Sequence, residues 1–167
     1  TYYMSWSDRK DYNPLHKGGA LEFIINEQKK SKEPFRILPF TAEDIQNVKF
    51  KTSVAIPNTL VTYRIEDVSG YSSLIPNDIY QLFIYIQTHD LNRLYSKVLD
   101  NCFSSFNLPY PITNYRSKIL DLLNVKYFLV PNLFVLDGKN TKRVYSGDCA
   151  VYENEDYLPR AFVVPNF

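Results

Sequence analysis

Two stretches of the chain repeat apolar residues at spacings of three and four, which is the pattern of a helix with one buried face. The clearer stretch begins at Pro76, and its apolar residues are Ile79, Leu82, Phe83 and Ile86. The other follows Gly18-Gly19 and ends at Glu33-Pro34, and its apolar residues are Leu21, Ile24 and Ile25. The cations that complement the dipole at its carboxyl end are Lys29, Lys30 and Lys32. We therefore predict an amphipathic helix in each stretch.

A third helix, followed by a strand, is predicted in TNYRSKILDLLNVKYFLV at 113–130. Thr113 or Asn114 can cap the amino terminus of this helix, and Asn124 can end it in a left-handed conformation. The residues predicted to form its buried stripe are Ile119, Leu120, Leu122 and Leu123. The sequence VKYFLV then has the nearly continuous apolar character of a strand that is covered on both faces.

Shorter extended segments are predicted in the first half of the chain. FRILPF at 35–40 indicates a short strand, which Pro39 closes or places at an edge of the sheet. The segment 56–76 indicates a short helix or strand and then an extended piece that ends at Gly70, a residue suited to positive φ or close backbone approach. These segments supply the early strands of the predicted sheet.

The second half of the chain carries the signals of antiparallel hairpins. Asp137-Gly138 and Ser146-Gly147-Asp148 are typical hairpin turns, and AFVV at 161–164 indicates a last strand. Early strand-helix units followed by late hairpins predict an α/β fold, a mixed β-sheet with flanking helices. Residues 1–33 are predicted to be an N-terminal linker and helix, and residues 34–167 a single soluble domain.

Composition and charge narrow the class of partner. The 167 residues are 45% hydrophobic and 22% charged, with a formal net charge of +1. A sequence-wide attraction to nucleic acid is therefore excluded, and nucleic acid is not expected as a partner. Aromatic residues make up 16%, which suits either a packed core or a surface that faces sugar or protein. Because the chain begins at Thr1 without an initiator Met or a signal-peptide pattern, we expect it to be part of a longer protein.

The chain shows no predicted metal, cofactor or thiol chemistry. Cys102 and Cys149 are far apart in sequence and form no metal-ligand spacing. They could pair in an oxidising compartment, although we favour free thiols. His16 and His89 are also remote from each other, and we interpret both as surface or core-edge residues. The glycine patterns of dinucleotide and phosphate loops are missing from the sequence, so no cofactor is predicted.

Paired carboxylates are the most tempting catalytic pattern, because glycoside hydrolysis uses two acids on either side of a sugar. The candidates are Glu66 with Asp67, and Glu153 with Glu155 and Asp156. A chain with 18 acidic residues produces such pairs by chance, so we favour solvated turn residues. A serine hydrolase is less favoured, because SGYSSL at 69–74 lacks the second glycine of a nucleophile elbow.

The segment VYENEDYLPRAF at 151–162 admits two interpretations. In the first, Pro159 holds its neighbour extended, and Arg160 begins the final strand. Arg160 then makes an ion pair or caps a carbonyl near Glu153 and keeps the last hairpin in register. In the second, Glu153, Asn154 and Arg160 contact a ligand. We favour the first interpretation from the residues alone.

The chain resembles the extracytoplasmic part of YfhO-type bacterial membrane proteins in an ordered set of five segments. These are PFRILPF at 34–40, PN at 57–58, GYSSL at 70–74, ILDLLNVKYFLV at 119–130 and VYENEDYLPRAF at 151–162. The most specific pieces are LLNVKYFLV and YEN followed by LPRAF. The resemblance implies a parent with many membrane spans, similar to glycosyltransferases of the GT-C superfamily. Such enzymes use polyprenyl-phosphate-linked sugars to modify cell-envelope polymers.

The resemblance also limits which residues are given a role. In such transferases the catalytic acid lies on a loop between early membrane helices, and this chain contains no such segment. No catalytic residue is therefore assigned, and the chain alone is expected to have no turnover. The matched positions are Arg36, Asn58, Gly70, Tyr71, Tyr127, Tyr152, Glu153, Asn154, Pro159 and Arg160. The candidate binding residues among them are Asn58, Gly70, Tyr71, Glu153, Asn154 and Arg160.

The resemblance predicts a domain on the extracytoplasmic side of the bacterial cytoplasmic membrane, with an accessory or acceptor-recognition role. Its expected partners are the membrane-embedded remainder of its own chain and cell-envelope polysaccharide or a lipid-linked sugar. One alternative is a carbohydrate- or protein-binding module in which aromatic rings stack on sugars. A less favoured alternative is a stand-alone glycoside hydrolase that uses Glu66 or Glu153.

Overall fold

The computed structural model describes residues 19–40, 59–68, 76–89, 114–132, 134–137 and 140–163. In chain order its elements are α1 (Gly19–Lys30), β1 (Arg36–Pro39), a 3-10 helix (Thr59–Tyr63), β2 (Glu66–Asp67), α2 (Asn77–Thr88), α3 (Lys118–Leu122), β3 (Val125–Val130), β4 (Thr141–Ser146) and β5 (Ala150–Asn154). The helices α1 and α2 and the strands β1 and β3 confirm the predictions from apolar spacing. None of the described helices is long and apolar enough to cross a membrane.

The five strands form one sheet in the order β2-β1-β3-β5-β4. Strand β1 pairs in parallel with both β2 and β3. Strand β5 pairs antiparallel with β3 and with β4, and Phe128 of β3 lies opposite Tyr152 of β5. The predicted turn at Ser146-Gly147-Asp148 joins β4 to β5 as a hairpin. The α/β class with a mixed sheet is therefore confirmed.

Helix α1 covers one face of the sheet. The buried cluster on this face includes Ala20, Ile24, Ile37, Tyr127 and Val151, and Leu21 and Ile25 pack against it while partly buried. The β4–β5 turn fixes the start of the helix, because the amide of Ala20 donates to Asp148 Oδ1 at 2.9 Å. Helix α1 falls in the segment 1–33 that was predicted as linker and helix, and it packs directly on the sheet.

Helices α2 and α3 cover the opposite face. Successive side chains of a strand point to opposite faces of the sheet. The strand residues that alternate with those of the first cluster therefore belong to a second buried cluster on this face. Its buried members include Leu38, Ile86, Leu120, Phe128, Val130 and Ala150. Leu82 and Phe83 of α2 pack against this cluster while partly buried, whereas Ile79 is 44% exposed. The helices and the sheet thus form three layers.

The details of α3 correct part of the prediction. The helix begins after Ser117, and Asn114 does not cap it; the Asn114 side chain instead donates to a carbonyl of α2 at 2.8 Å. Thr113 lies outside the described residues. Leu122 was predicted to be buried and is 55% exposed, because a helix of five residues turns only part of its surface to the sheet. The left-handed conformation predicted for Asn124 is confirmed by its φ of 62°.

The hairpin predicted at Asp137-Gly138 is wrong in its described part, because residues 134–137 form no strand. The polar groups of Asp137 are bound by side chains instead of by a neighbouring strand. The Asp137 amide donates to Tyr115 Oη at 3.0 Å, and Arg116 Nη2 donates to Asp137 Oδ1 at 2.8 Å. Gly138 lies outside the described residues.

The last strand predicted at 161–164 is also wrong for residues 161–163, which form no strand, and Arg160 therefore does not begin one. After β5 the chain turns at Glu155 and Asp156 and follows α3. The amide of Leu158 donates to the Asp121 carbonyl at 3.0 Å. This backbone bond holds the segment at the side of α3, so the apolar character of AFVV does not lead to a strand.

Candidate functional site

A cleft of about 680 Å³ lies beside β2, at the edge of the sheet. Its lining residues are Arg36, Val61, Arg64, Ile65, Glu66, Asp67, Val68, Ile79, Leu82, Phe83 and Leu123. Apolar side chains from the 3-10 helix and α2 therefore face charged side chains from β1, β2 and the turn before β2. A concave site with an apolar wall and a few charged groups suits a small ligand that has both an apolar and a charged part.

A tight turn between the 3-10 helix and β2 shapes one side of the cleft. The amide of Arg64 donates to the Val61 carbonyl at 2.9 Å, and Arg64 has a φ of 58°. This left-handed conformation is uncommon for a residue other than glycine. Gln28 of α1 supports the turn, because its Nε2 donates to the Arg64 carbonyl at 2.8 Å. The turn directs Glu66 into β2, where it pairs with Arg36 of β1.

Two guanidinium groups converge on the Glu66 carboxylate at the rim of the cleft. Arg36 Nε lies 3.4 Å from Glu66 Oε2, and Arg160 Nη2 contacts the same oxygen. Arg36 is also held by the Leu123 carbonyl, to which its Nη1 donates at 3.3 Å. The hydrogen bond from Arg160 is the main cause that lowers the pKa of Glu66 below its usual range. Glu66 is thus kept ionised between its two partners.

Replacing Glu66 by Gln should remove a part of the stability that depends on pH. The folded pKa lies below the ordinary value of 4.5, so this contribution is complete above that value and is lost as the pH falls through the folded pKa. Because the Glu66 side chain is 47% exposed, solvent screening limits its contribution to the free energy of unfolding to about 1 kcal/mol or less.

Urea unfolding at pH 7 and at pH values well below 4.5 measures this contribution. We expect the wild type to be the more stable protein at pH 7 and the Glu66→Gln variant to match it in acid. Glu155→Gln, which changes an exposed turn acid, is the control and should follow the wild type throughout. A wild-type advantage over Glu66→Gln that is the same at both pH values would contradict the ion pair.

Arg160 and Glu153 do not contact each other in the way that the sequence suggested. The ion pair predicted for Arg160 is confirmed, but the predicted place near Glu153 is wrong, because the partner of Arg160 is Glu66. Glu153 lies in β5, and its Oε1 is 3.7 Å from Lys126 Nζ. The Lys126 amine lies between 5.2 and 5.4 Å from the ring centres of Phe35, Tyr127 and Tyr157. Glu153 therefore neutralises a cation that is packed among aromatic rings.

Asn154 holds two segments of the chain together. Its side chain is fully buried, and Nδ2 donates to Asp121 Oδ1 at 2.8 Å and to the Val125 carbonyl at 2.9 Å. Its Oδ1 accepts a hydrogen bond from the Asp156 amide at 3.3 Å. Beside it, Asn124 Nδ2 donates to the Leu158 carbonyl at 2.8 Å. The asparagines of the LLNVKYFLV and YEN motifs thus link these motifs to each other, and Asn154 does not face the cleft.

The other candidate binding residues, Asn58, Gly70 and Tyr71, lie outside the described residues. Of the candidates that are described, Arg160 is the one that reaches the cleft rim, through Glu66. Sequence reasoning missed Val61 and Arg64, which line the cleft. The turn that places them could not be predicted from residue type, because the residue with positive φ is Arg64 and not Gly or Asn. Arg36 is a matched motif position and Glu66 a candidate acid in the sequence, but no local pattern predicts that the two side chains form an ion pair.

The described residues offer little nucleophilic or metal chemistry. Within them, no group of three or more His, Cys, Asp or Glu side chains could hold a metal ion. Cys149 is a buried free thiol, and burial raises its pKa to about 12, so it is not a nucleophile near neutral pH. His89 is exposed and stacks on Tyr85 with 5.7 Å between ring centres. Cys102 and His16 lie outside the described residues.

Compared with protein-family models, with curated proteins and with solved structures, the chain matches none. The similarity to YfhO-type proteins therefore stays a prediction from the ordered motifs. The cleft and its charged rim are the features from which a function can be argued.

Proposed function

We propose that this chain is an extracytoplasmic accessory domain of a polytopic bacterial membrane protein of the GT-C-like glycosyltransferase type. Its role is to recognise the acceptor or the lipid-linked sugar at the cleft beside β2. The chemistry belongs to the membrane-embedded part of the parent protein, and this domain has no turnover of its own. The proposed location is the outer side of the bacterial cytoplasmic membrane.

The observation that supports this proposal most strongly is that motif segments remote in sequence meet at the cleft rim. Arg36 comes from PFRILPF, Leu123 from LLNVKYFLV and Arg160 from the LPRAF motif. All three surround Glu66 or hold its partners: both arginines contact its carboxylate, and the Leu123 carbonyl accepts from Arg36. A ligand site is a physical reason for distant motifs to share one location.

The carboxylates argue against the hydrolase alternative. A general acid in glycoside hydrolysis needs a raised pKa, so that it holds a proton near neutral pH. Arg160 and Arg36 shift the pKa of Glu66 in the opposite direction. Glu153 is engaged by Lys126, whose side chain is only 16% exposed. Glu66 is therefore not placed to donate a proton to a leaving group, and Glu153 is held in an ion pair.

The aromatic residues do not favour a stacking platform at the cleft. Among the described residues of its lining, Phe83 is the one aromatic residue. Several other described rings pack on one another within the sheet layers: Tyr127 meets Phe23 and Phe35 edge to face, and Tyr115 meets Phe128 in the same way. The aromatic surplus of the sequence thus contributes to the core, and recognition at the cleft depends on its apolar wall and charged rim.

Two measurements test the proposed function. The complete coding sequence should encode several segments of about 20 apolar residues outside this chain, and a parent without them would overturn the membrane assignment. Purified bacterial cell-envelope polysaccharide should bind the isolated chain at millimolar concentration or below, with no release of free sugar. Sugar release that is lost in Glu66→Gln or Glu153→Gln would instead establish the hydrolase.

A further inference from the structure

The guanidinium pair, Arg36 and Arg160, is incompletely neutralised by Glu66. Both groups contact the same atom, Glu66 Oε2, so one carboxylate oxygen serves two cations. Each guanidinium has five N–H donors arranged to match two oxygens at once. Glu66 therefore leaves donors of both side chains unused, so that a ligand with several oxygens can replace it and engage more of them, and the three groups together carry one net positive charge.

The charge around the guanidinium pair favours an anion from solution. The cleft is lined by one more cation, Arg64, and by one more acid, Asp67. With Arg160 at the rim, the described residues bring three arginines and two carboxylates to this place. Arg36, Arg160 and Glu66 are 34%, 41% and 47% exposed in their side chains, so a ligand can reach them.

The wall next to these charges is apolar. It is formed by Val61 and Ile65 of the turn region and by Ile79, Leu82 and Phe83 of α2. Val61 and Ile79 are 68% and 44% exposed. Exposed apolar residues that are contiguous in a cleft mark a binding surface. Apolar side chains and guanidinium groups within one cleft match a molecule with an apolar part and an anionic head.

We propose that the cleft binds an amphipathic oxyanion, an inference that rests on the recognition role proposed above. The anionic head takes the place of the Glu66 carboxylate between Arg36 and Arg160, and the apolar part lies against α2. Glu66 is then an internal occupant of the site that leaves when the ligand enters. A tetrahedral head offers separate oxygens to the two guanidinium groups, whereas Glu66 offers both of them one oxygen.

The test is a titration of the ¹⁵N-labelled chain followed by NMR, with the arginine Nε–Hε signals resolved. The probes are octyl phosphate below its micelle concentration, octanoate, inorganic phosphate and neutral octyl glucoside. We expect octyl phosphate to shift the signals of Arg36 and Arg160 and of residues in α2. It should bind at least about tenfold more tightly than inorganic phosphate, because apolar burial adds to the ionic contact. Octanoate should bind by the same arginines but less tightly.

Three variants separate a ligand site from a structural ion pair. Arg160→Gln should weaken octyl phosphate binding about tenfold, and Glu66→Gln should strengthen it severalfold because the internal competitor is gone. Arg116→Gln breaks a more exposed ion pair outside the cleft lining, with Asp137, and should bind like the wild type. Unfolding midpoints of all variants show that each is folded. The Glu66→Gln result carries the test alone if Arg160→Gln fails to fold.

The following results would overturn the inference. Unchanged affinity in Glu66→Gln, or equal weakening in Arg160→Gln and Arg116→Gln, means that Glu66 does not occupy a ligand site. Equal affinities for inorganic and octyl phosphate mean that a free phosphate binds and the apolar wall does not take part. Failure of the proposed function gives different results: a parent without membrane spans, or no response to envelope polysaccharide. Neither of these results changes the outcome with octyl phosphate.

Discussion

Tyr127→Ala should lower the free energy of unfolding by about 3–5 kcal/mol, the loss expected when a large buried aromatic side chain is truncated. Tyr127 is 2% exposed. Its ring packs edge to face on Phe35 at 5.2 Å and on Phe23 at 6.1 Å. The sequence motif left the role of Tyr127 open, and the structure places it in the core between α1 and the sheet. Urea unfolding followed by far-UV circular dichroism measures the loss.

Tyr127→Phe is the matched control for this prediction. It keeps the ring and removes only the hydroxyl, which donates to Glu27 Oε2 at a long 3.5 Å. A single weak hydrogen bond contributes about 1 kcal/mol or less, so this variant should remain close to the wild type. If Tyr127 served a ligand instead of the core, Tyr127→Ala would unfold near the wild-type midpoint, and that result would contradict its placement.

Asn154→Ala should cost about 2–4 kcal/mol, because it leaves buried polar groups without a partner that they have in the folded protein. The Asn154 side chain donates to Asp121 Oδ1 and to the Val125 carbonyl, and all of its atoms are buried. Asp121 is itself only 8% exposed. Its carboxylate would lose a donor that water cannot easily replace. Urea unfolding at neutral pH measures this loss as well.

Asn140→Ala provides a matched comparison for Asn154→Ala. Asn140 also donates its Nδ2 to a carboxylate, Asp156 Oδ1 at 3.0 Å, but this bond is exposed. Water can replace an exposed donor, so the loss should stay within about 0.5 kcal/mol. Equal losses for the two variants would mean that burial does not set the role of Asn154. Asn154→Ala should also release the segment after β5, and faster amide exchange at Leu158 in this variant would report that release.

The sequence predicted those parts of the fold that depend on neighbours in the chain. The apolar spacing of Leu21, Ile24 and Ile25 predicted α1, and the continuous apolar run VKYFLV predicted β3, because the period of a helix or strand is a local property. The left-handed Asn124 followed from the same local logic. The missing strand at 161–163 shows the limit of this logic. An apolar segment forms a strand only beside a partner strand. The Leu158–Asp121 backbone bond instead holds this part of the chain beside α3.

The candidate site could be predicted much less well than the fold. Arg160 and Glu66 are 94 residues apart, and no pattern in either segment indicates the other. The contact exists because the sheet order places β2 at an edge and because the segment after β5 follows α3. Both causes are tertiary. The burial of Asn154 could not be predicted either, since an asparagine between two acidic residues is typical of a turn.

Recognition at the cleft, without catalysis, is tested most directly by titrating bacterial cell-envelope polysaccharide and octyl phosphate into the ¹⁵N-labelled chain. We expect shifts at Arg36, Arg160 and the residues of α2, about tenfold weaker octyl phosphate binding in Arg160→Gln and unchanged binding in Arg116→Gln, with no free sugar released. Shifts confined to other surfaces, or none with either probe at millimolar concentration, would contradict it.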